Sequence, residues 1–250
     1  MGLKPRIAIY DFTDCEGCEV QLVSLRDKLL ALEEKIDVVD WRLGQERRED
    51  GPFFATIIEG TPVTQDEIDT LKRLRDQSTY IIALGACASL GGIPGIMDKE
   101  DREKWYKKIY GEQYKPKGID ALPLQAYVKV DFFIHGCPVD QKELERVFSD
   151  LLSGKKLSYH SSSVCFECKL AGNKCRLINN KPCLGPITQS GCGAVCISNG
   201  SPCYGCFGNK EGANTESLKK ILEKFSNKNE IDRYFSMFLN KMEKDNPNNN

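Results

Sequence analysis

Residues 6–32 read RIAIYDFTDCEGCEVQLVSLRDKLLAL, and the order of features within them decides the fold. Arg6 to Phe12 is apolar and β-branched enough for a central strand. A short loop carrying Cys15 and Cys18 follows, and from Glu19 to Leu32 the leucines at 22, 25 and 29 take up helical spacing. Strand, loop and helix make one βα unit, with both cysteines at the turn.

The same alternation continues outward. Ile36 to Val39 predicts a second strand and Ala55 to Ile58 a third. Thr64 with Glu67 forms a capping box that opens a helix to about Asp76, and Tyr80 to Leu84 follows as a fourth strand. After a charged, aromatic insertion over 98–117, Val128 to His135 returns to strand character, and Asp140 with Glu143 caps a helix ending near Gly154. Alternation of this kind predicts an α/β fold over residues 1–155: a flavodoxin-like, doubly wound parallel sheet with helices on both faces.

Beyond it, residues 156–210 contain eight cysteines between Cys165 and Cys206 and almost no periodic apolar pattern. Such a segment predicts a small, irregular domain whose missing folding free energy comes from metal. In residues 211–250, Glu216 to Phe225 is amphipathic, with Leu218, Ile221, Leu222 and Phe225 on one face, and the tail beyond Lys244 is expected to be disordered.

Composition narrows the function classes. Thirty-five basic against 36 acidic residues leave a net charge of -1, so no global field draws the chain to nucleic acid. The N-terminus carries Lys4 and Arg6 and runs straight into a strand, without a signal-peptide stretch, and no apolar run reaches the length of a membrane span. The expectation is a cytoplasmic protein, whose thiols stay reduced and hold metal rather than pair as disulfides.

Four of the twelve cysteines, Cys15, Cys18, Cys87 and Cys137, each follow a strand. In a parallel sheet those loops share one edge, so residues far apart in sequence converge on one pocket. Gly17, Gly85 and Gly136 beside them allow tight turns and close backbone approach. Four thiolates bind one cubane iron-sulfur cluster. A thioredoxin-type redox pair would also use Cys15-x-x-Cys18, but it needs neither Cys87 nor Cys137. Glu59-Gly60 ends the third strand at this edge, where a carboxylate could carry a proton or bond to a partner chain; otherwise it is a solvated loop acid. His135 is assigned no role.

The later eight are spaced Cys165-x-x-Cys168, Cys175, Cys183 and Cys192-x-x-x-Cys196, Cys203-x-x-Cys206. They suit two four-iron clusters, and two structural zinc sites would use the same residues. The simplest partition is sequential, although in two-cluster ferredoxins one cysteine crosses over.

Together, Cys15-Glu-Gly-Cys18-Glu19, Glu59-Gly60, Gly85-Ala-Cys87, Gly136-Cys137-Pro138 and Cys192 to Cys206 resemble the small subunit of nickel-iron hydrogenases, over residues 5 to about 208. The resemblance is nearest to the cytosolic group, the delta subunit of sulfhydrogenases and the small subunit of methyl viologen- or deazaflavin-linked enzymes. It implies that Cys15, Cys18, Cys87 and Cys137 hold a proximal cluster, Cys192, Cys196, Cys203 and Cys206 a medial one, and Cys165, Cys168, Cys175 and Cys183 a distal one. The periplasmic branch has a histidine distal ligand at the place of Cys165, and a proline near Cys196 that leaves a three-iron cluster. Cysteine at both places implies three 4Fe-4S clusters here, with a lower distal potential. The small cluster-bearing subunit of respiratory complex I, which has adjacent cysteines where this chain has Cys15-x-x-Cys18, is the weaker match.

The nickel-bearing subunit is a separate polypeptide on this reading, because its motif has a histidine where this chain has Asn209, and only His135 and His160 exist. The expected function is electron relay between a large-subunit nickel-iron site and a flavin or ferredoxin-type partner, with nickel and flavin held only by partner subunits. The loops with Cys15 to Glu19, Glu59 and Gly91 to Gly95 are expected to meet the large subunit. The rivals are a zinc-stabilised, non-redox interaction module and a cluster-bearing subunit of another flavin-linked oxidoreductase.

Overall fold

A computed structural model describes residues 3–115 and 118–241. Five strands, β1 (Arg6–Asp11), β2 (Asp37–Trp41), β3 (Phe53–Glu59), β4 (Ser78–Leu84) and β5 (Phe132–Ile134), form one sheet in the order β2-β1-β3-β4-β5. Every neighbouring pair is parallel. That order reverses direction at β1/β3, the point at which doubly wound sheets open a crevice beyond their strand ends.

Alternation along each strand explains the two layers. Ile7, Ile9, Ile57 and Ile82 face one side and pack with Leu22, Leu144, Val147 and Phe148 of the helices α1 (Gly17–Val23) and α6 (Gln141–Leu152). Ala8, Ile58, Ile81 and Ala83 face the other and pack with Leu71 and Leu74 of α3 (Gln65–Gln77). These side chains are almost fully buried, and apart from the two alanines each stabilises the fold by roughly 1.5–3 kcal/mol before entropy is counted. The flavodoxin-like α/β fold is the fold observed.

Several elements differ from the sequence expectation. The helix expected over 19–32 is two helices, α1 and α2 (Asp27–Glu33), separated where Arg26 takes a φ of 52°. Leu22 and Leu25 stay buried across the break, so the apolar spacing carries no trace of it. The last strand is three residues long because the Asp131 carboxylate occupies the Ile81 amide (2.8 Å) and pairs with Arg75, and the ladder with β4 starts only at Phe132. The charged insertion contains a helix, α5 (Lys99–Tyr110), which follows α4 (Gly85–Leu90); no described residue of α5 is buried deeply enough to give it an apolar stripe.

The cysteine-rich segment carries two short helices, α7 (Val164–Leu170) and α8 (Val195–Ser198), and two longer ones follow it, α9 (Thr215–Leu222) and α10 (Lys228–Ser236). Leu218, Leu222, Ile231 and Tyr234 enclose Leu184 and Ile187, so α9 and α10 complete one apolar core of the segment, while Val164, Ala194 and Ile197 pack among its cysteines in another. Phe238 packs on Ala86 and Leu90 of α4, tying this end of the chain to the sheet domain. The tail expected to be disordered lies outside the described residues. No described helix is long and apolar enough to cross a membrane.

Candidate metal centres

The C-terminal ends of β1, β3, β4 and β5 deliver Cys15 and Cys18, Glu59, Cys87 and Cys137 to one edge of the sheet. Backbone bonds join the loops there: Ala86 N–H donates to Gly136 O (2.7 Å), and Thr13 and Thr61 pair in a bridge. Contact is tight enough that side chains are excluded. A Cβ on Gly85, at φ +82°, would lie 2.4 Å from Cys18 Sγ, and one on Gly92 would lie 2.8 Å from Cys87 Sγ. Glycine is required at both places, on steric and conformational grounds.

Electrostatics link the four thiols. Burial pushes the Cys87 thiol up to about 12, with Cys137, Asp14 and Cys15 adding to the rise. Burial also raises Cys18, reinforced by Glu59 and Cys87, and raises Cys137, reinforced by Cys15, Glu59 and Cys196. No cation appears among these influences, so thiolates here would need positive charge from a bound group. Four soft sulfur donors at one sheet edge fit an iron-sulfur cluster, whose iron would supply that charge.

Glu59 is not a solvated loop acid. It is 1% exposed, its Oε1 accepts the Cys18 amide (3.0 Å), and its Oε2 accepts the Glu19 amide (2.6 Å). Both are orphan donors at the start of α1, so the carboxylate fixes the Cys15–Cys18 loop from beneath. Burial raises its pKa against the pull of those two amides. Sequence reasoning gave no role of their own to two further acids, Glu19, which is buried, and Asp14, which is half-buried. Burial lifts Asp14 and Glu19 to about 7 each; Trp41 Nε1–H donates to Glu19 (2.6 Å), while Asp14 Oδ2 and Glu19 Oε1 have no hydrogen-bond partner. Their positions flanking the motif are visible in sequence, but their burial is not.

The eight later cysteines fall into two groups. Cys165, Cys168, Cys175 and Cys183 line one cavity of about 30 Å³, closed by Arg176, Leu177, Pro186 and Ile197. Cys192, Cys196, Cys203 and Cys206 line a larger cavity of about 690 Å³, which Cys137 also borders. Burial raises Cys165 and Cys192 to about 11 and Cys203 to about 12. Geometry gives the order of the groups. Cys137 of the sheet-edge set borders the large cavity, Ile197 lines both cavities, and Leu184 N–H, next to Cys183, donates to Cys203 O (3.0 Å). The large-cavity set therefore adjoins both of the others. Phe207 fills the first junction: Cβ atoms on Gly136 and Gly191 would each lie 3.1 Å from its ring. His135 Nδ1 bonds Ser89 Oγ (2.8 Å) beside it. All twelve cysteines are free, and among the described residues no three His, Cys, Asp or Glu side chains converge on a single-ion position.

A parallel sheet with cysteines at its strand ends and a trailing cysteine-rich segment presents the thiolate donor sets that iron-sulfur clusters use. Residues 15–151 match the family of the NADH ubiquinone oxidoreductase 20 kDa subunit. Sulfhydrogenase 2 subunit delta of Pyrococcus furiosus is 34% identical over 93% of this chain and 98% of its own length. A subunit of the F420-non-reducing hydrogenase vhu of Methanocaldococcus jannaschii is 27% identical over 86% and 88%. In fold, the chain is similar to the actinobacterial-type NiFe-hydrogenase from Ralstonia eutropha (TM-score 0.56, 14% identity, 98% of this chain and 92% of that one). It is also similar to an NAD+-reducing [NiFe]-hydrogenase (TM-score 0.54, 23% identity, 63% and 96%). The chain belongs to the 20 kDa subunit family and, within it, to the subunits of hydrogenases.

Proposed function

We propose that this chain is the electron-relay small subunit of a nickel-iron hydrogenase, holding three 4Fe-4S clusters in a row. What supports the reading is that four cysteines lie at the sheet edge, four line the large cavity that Cys137 also borders, and four line the small cavity. Cys15, Cys18, Cys87 and Cys137 would be the proximal ligands, Cys192, Cys196, Cys203 and Cys206 the medial, and Cys165, Cys168, Cys175 and Cys183 the distal. When bound, the clusters supply one-electron redox chemistry at potentials set by hydrogen bonds and solvent exposure.

The chain's own contribution is placement. Glu59 fixes the loop of Cys15 and Cys18, Gly85 and Gly92 let the neighbouring turns close on Cys18 and Cys87, and Phe207 keeps the junction between the first two sets packed and dry. Cys15 and Cys137 are exposed in the isolated chain, and so are Val20, Val23 and Ile93 around them. That edge suits burial against a large subunit bearing the nickel-iron site. The small-cavity set would face a flavin or iron-sulfur partner. Iron is favoured over zinc because a relative from Archaeoglobus profundus is named as the iron-sulfur subunit of an F420-non-reducing hydrogenase. We assign residues 1–155, 156–210 and 211–250 to sheet domain, cluster segment and C-terminal helix and tail, and the complex to the cytoplasm, where thiols remain reduced.

Anaerobic purification from the native host tests the assignment. A copurifying large subunit containing nickel, together with reduction of this chain's chromophore by hydrogen, is the expected result. A colourless chain isolated alone with zinc would overturn it.

A further inference from the structure

Arg176 follows Cys175 in sequence and lines the smaller of the two cysteine cavities together with Cys183. One branch of its guanidinium is spoken for: Nη1–H donates to Gly200 O at 2.9 Å. Its Nε–H is buried and has no acceptor. A buried charged donor left without a partner is costly, and native structures satisfy such groups with protein, water or a bound species. The cavity that Arg176 lines holds four sulfurs and, apart from Arg176 and Lys169, only apolar neighbours. No cysteine Sγ accepts this N–H, so the acceptor chemistry the cavity can offer it is the sulfide of a group bound among the four thiols.

We infer that Arg176 is a potential-tuning residue: its Nε–H donates to a sulfur of the cluster held by Cys165, Cys168, Cys175 and Cys183, and so raises that cluster's reduction potential. The inference rests on the cluster reading above. Reduction adds one electron to a cluster already negative from its four thiolates, without making or breaking a bond. A positively charged N–H donor favours the more negative form, which moves the midpoint potential upward. This counteracts the lowering expected when all four ligands are thiolate. Because Nη1 is anchored on Gly200, the guanidinium plane is fixed and Nε is held in place. Lysine would keep the charge and lose that fork.

The test uses the intact complex, prepared anaerobically, and redox titration followed by electron paramagnetic resonance. In Arg176→Met the midpoint of one cluster is expected to fall while the other two stay at their wild-type values. Arg176→Lys should fall less. Wild-type protein labelled with 15N-arginine should show a nitrogen hyperfine coupling to one reduced cluster, and this readout stands even if a variant fails to assemble. An unchanged midpoint in Arg176→Met with full iron content would overturn the inference, as would the absence of any arginine coupling in wild type. A failure of the underlying reading looks different: Cys165→Ala would then leave iron content and every cluster signal intact.

Discussion

Glu59 separates a placing role from a proton-carrying one. Its two carboxylate oxygens each accept one buried amide, from Cys18 and from Glu19. Glu59→Ala orphans both donors, at a cost of about 1–3 kcal/mol each and so roughly 2–6 kcal/mol in all. Glu59→Gln keeps the shape and one acceptor but turns an amide group toward the second N–H, costing about 1–3 kcal/mol. Against a total stability of about 5–15 kcal/mol these are large fractions. For a chain of this length they correspond to a fall in melting temperature of roughly 2–12 °C for glutamine, and more for alanine. The assay is anaerobic thermal unfolding at a fixed scan rate, with iron counted before and after. The Cys15–Cys18 loop should loosen with the cap, so both variants should also lose iron faster than wild type. Two stable, fully iron-loaded variants would refute the placing role. If Glu59→Gln in addition abolished hydrogen-dependent turnover, the carboxylate would be a proton carrier instead.

Other outcomes follow from the same geometry. Gly85→Ala puts a methyl group 2.4 Å from Cys18 Sγ and should cost about four irons. Gly154→Ala, also at positive φ but with nothing within 4 Å, should cost only about 1–2 kcal/mol of backbone strain and retain all iron. Cys137→Ala should abolish hydrogen-dependent dye reduction, whereas Cys165→Ala should mainly slow transfer to the outer acceptor; equal, mild effects would contradict the assigned order. Chelation under oxidising conditions should expose residues 165–206 to protease while the sheet keeps its far-ultraviolet circular dichroism, since the two sheet faces have cores of their own. Uniform protection would argue against metal-dependent folding of that segment.

The sheet and its cysteine edge are legible in the sequence because they rest on short-range signals. The period-two alternation of Ile7, Ala8 and Ile9, the capping box of Thr64 and Glu67, and glycines beside cysteines at strand ends all have local physical causes. What the sequence does not disclose depends on distant partners. The break at Arg26 leaves the leucine spacing intact, and the short β5 reflects a bond between Asp131 and Ile81 across fifty residues. α5 carries no comparable signal, since it buries no apolar stripe; α10 carries a cap at Asn227 and Glu230 and an apolar face at Ile231 and Tyr234, but its partner Leu184 lies far off in sequence. Glu59 is legible as an acid at a strand end and Arg176 as the neighbour of Cys175, but neither one's partners are. Only the fold turns one into a cap and leaves the other a buried donor without an acceptor.

The central claim is that twelve thiols hold iron as three successive clusters. Iron per chain in anaerobically purified complex, measured with the paramagnetic signals after reduction by hydrogen, tests it most directly. About twelve irons and signals from three interacting reduced clusters are predicted. About eight irons or fewer, or zinc in place of iron, would contradict the account.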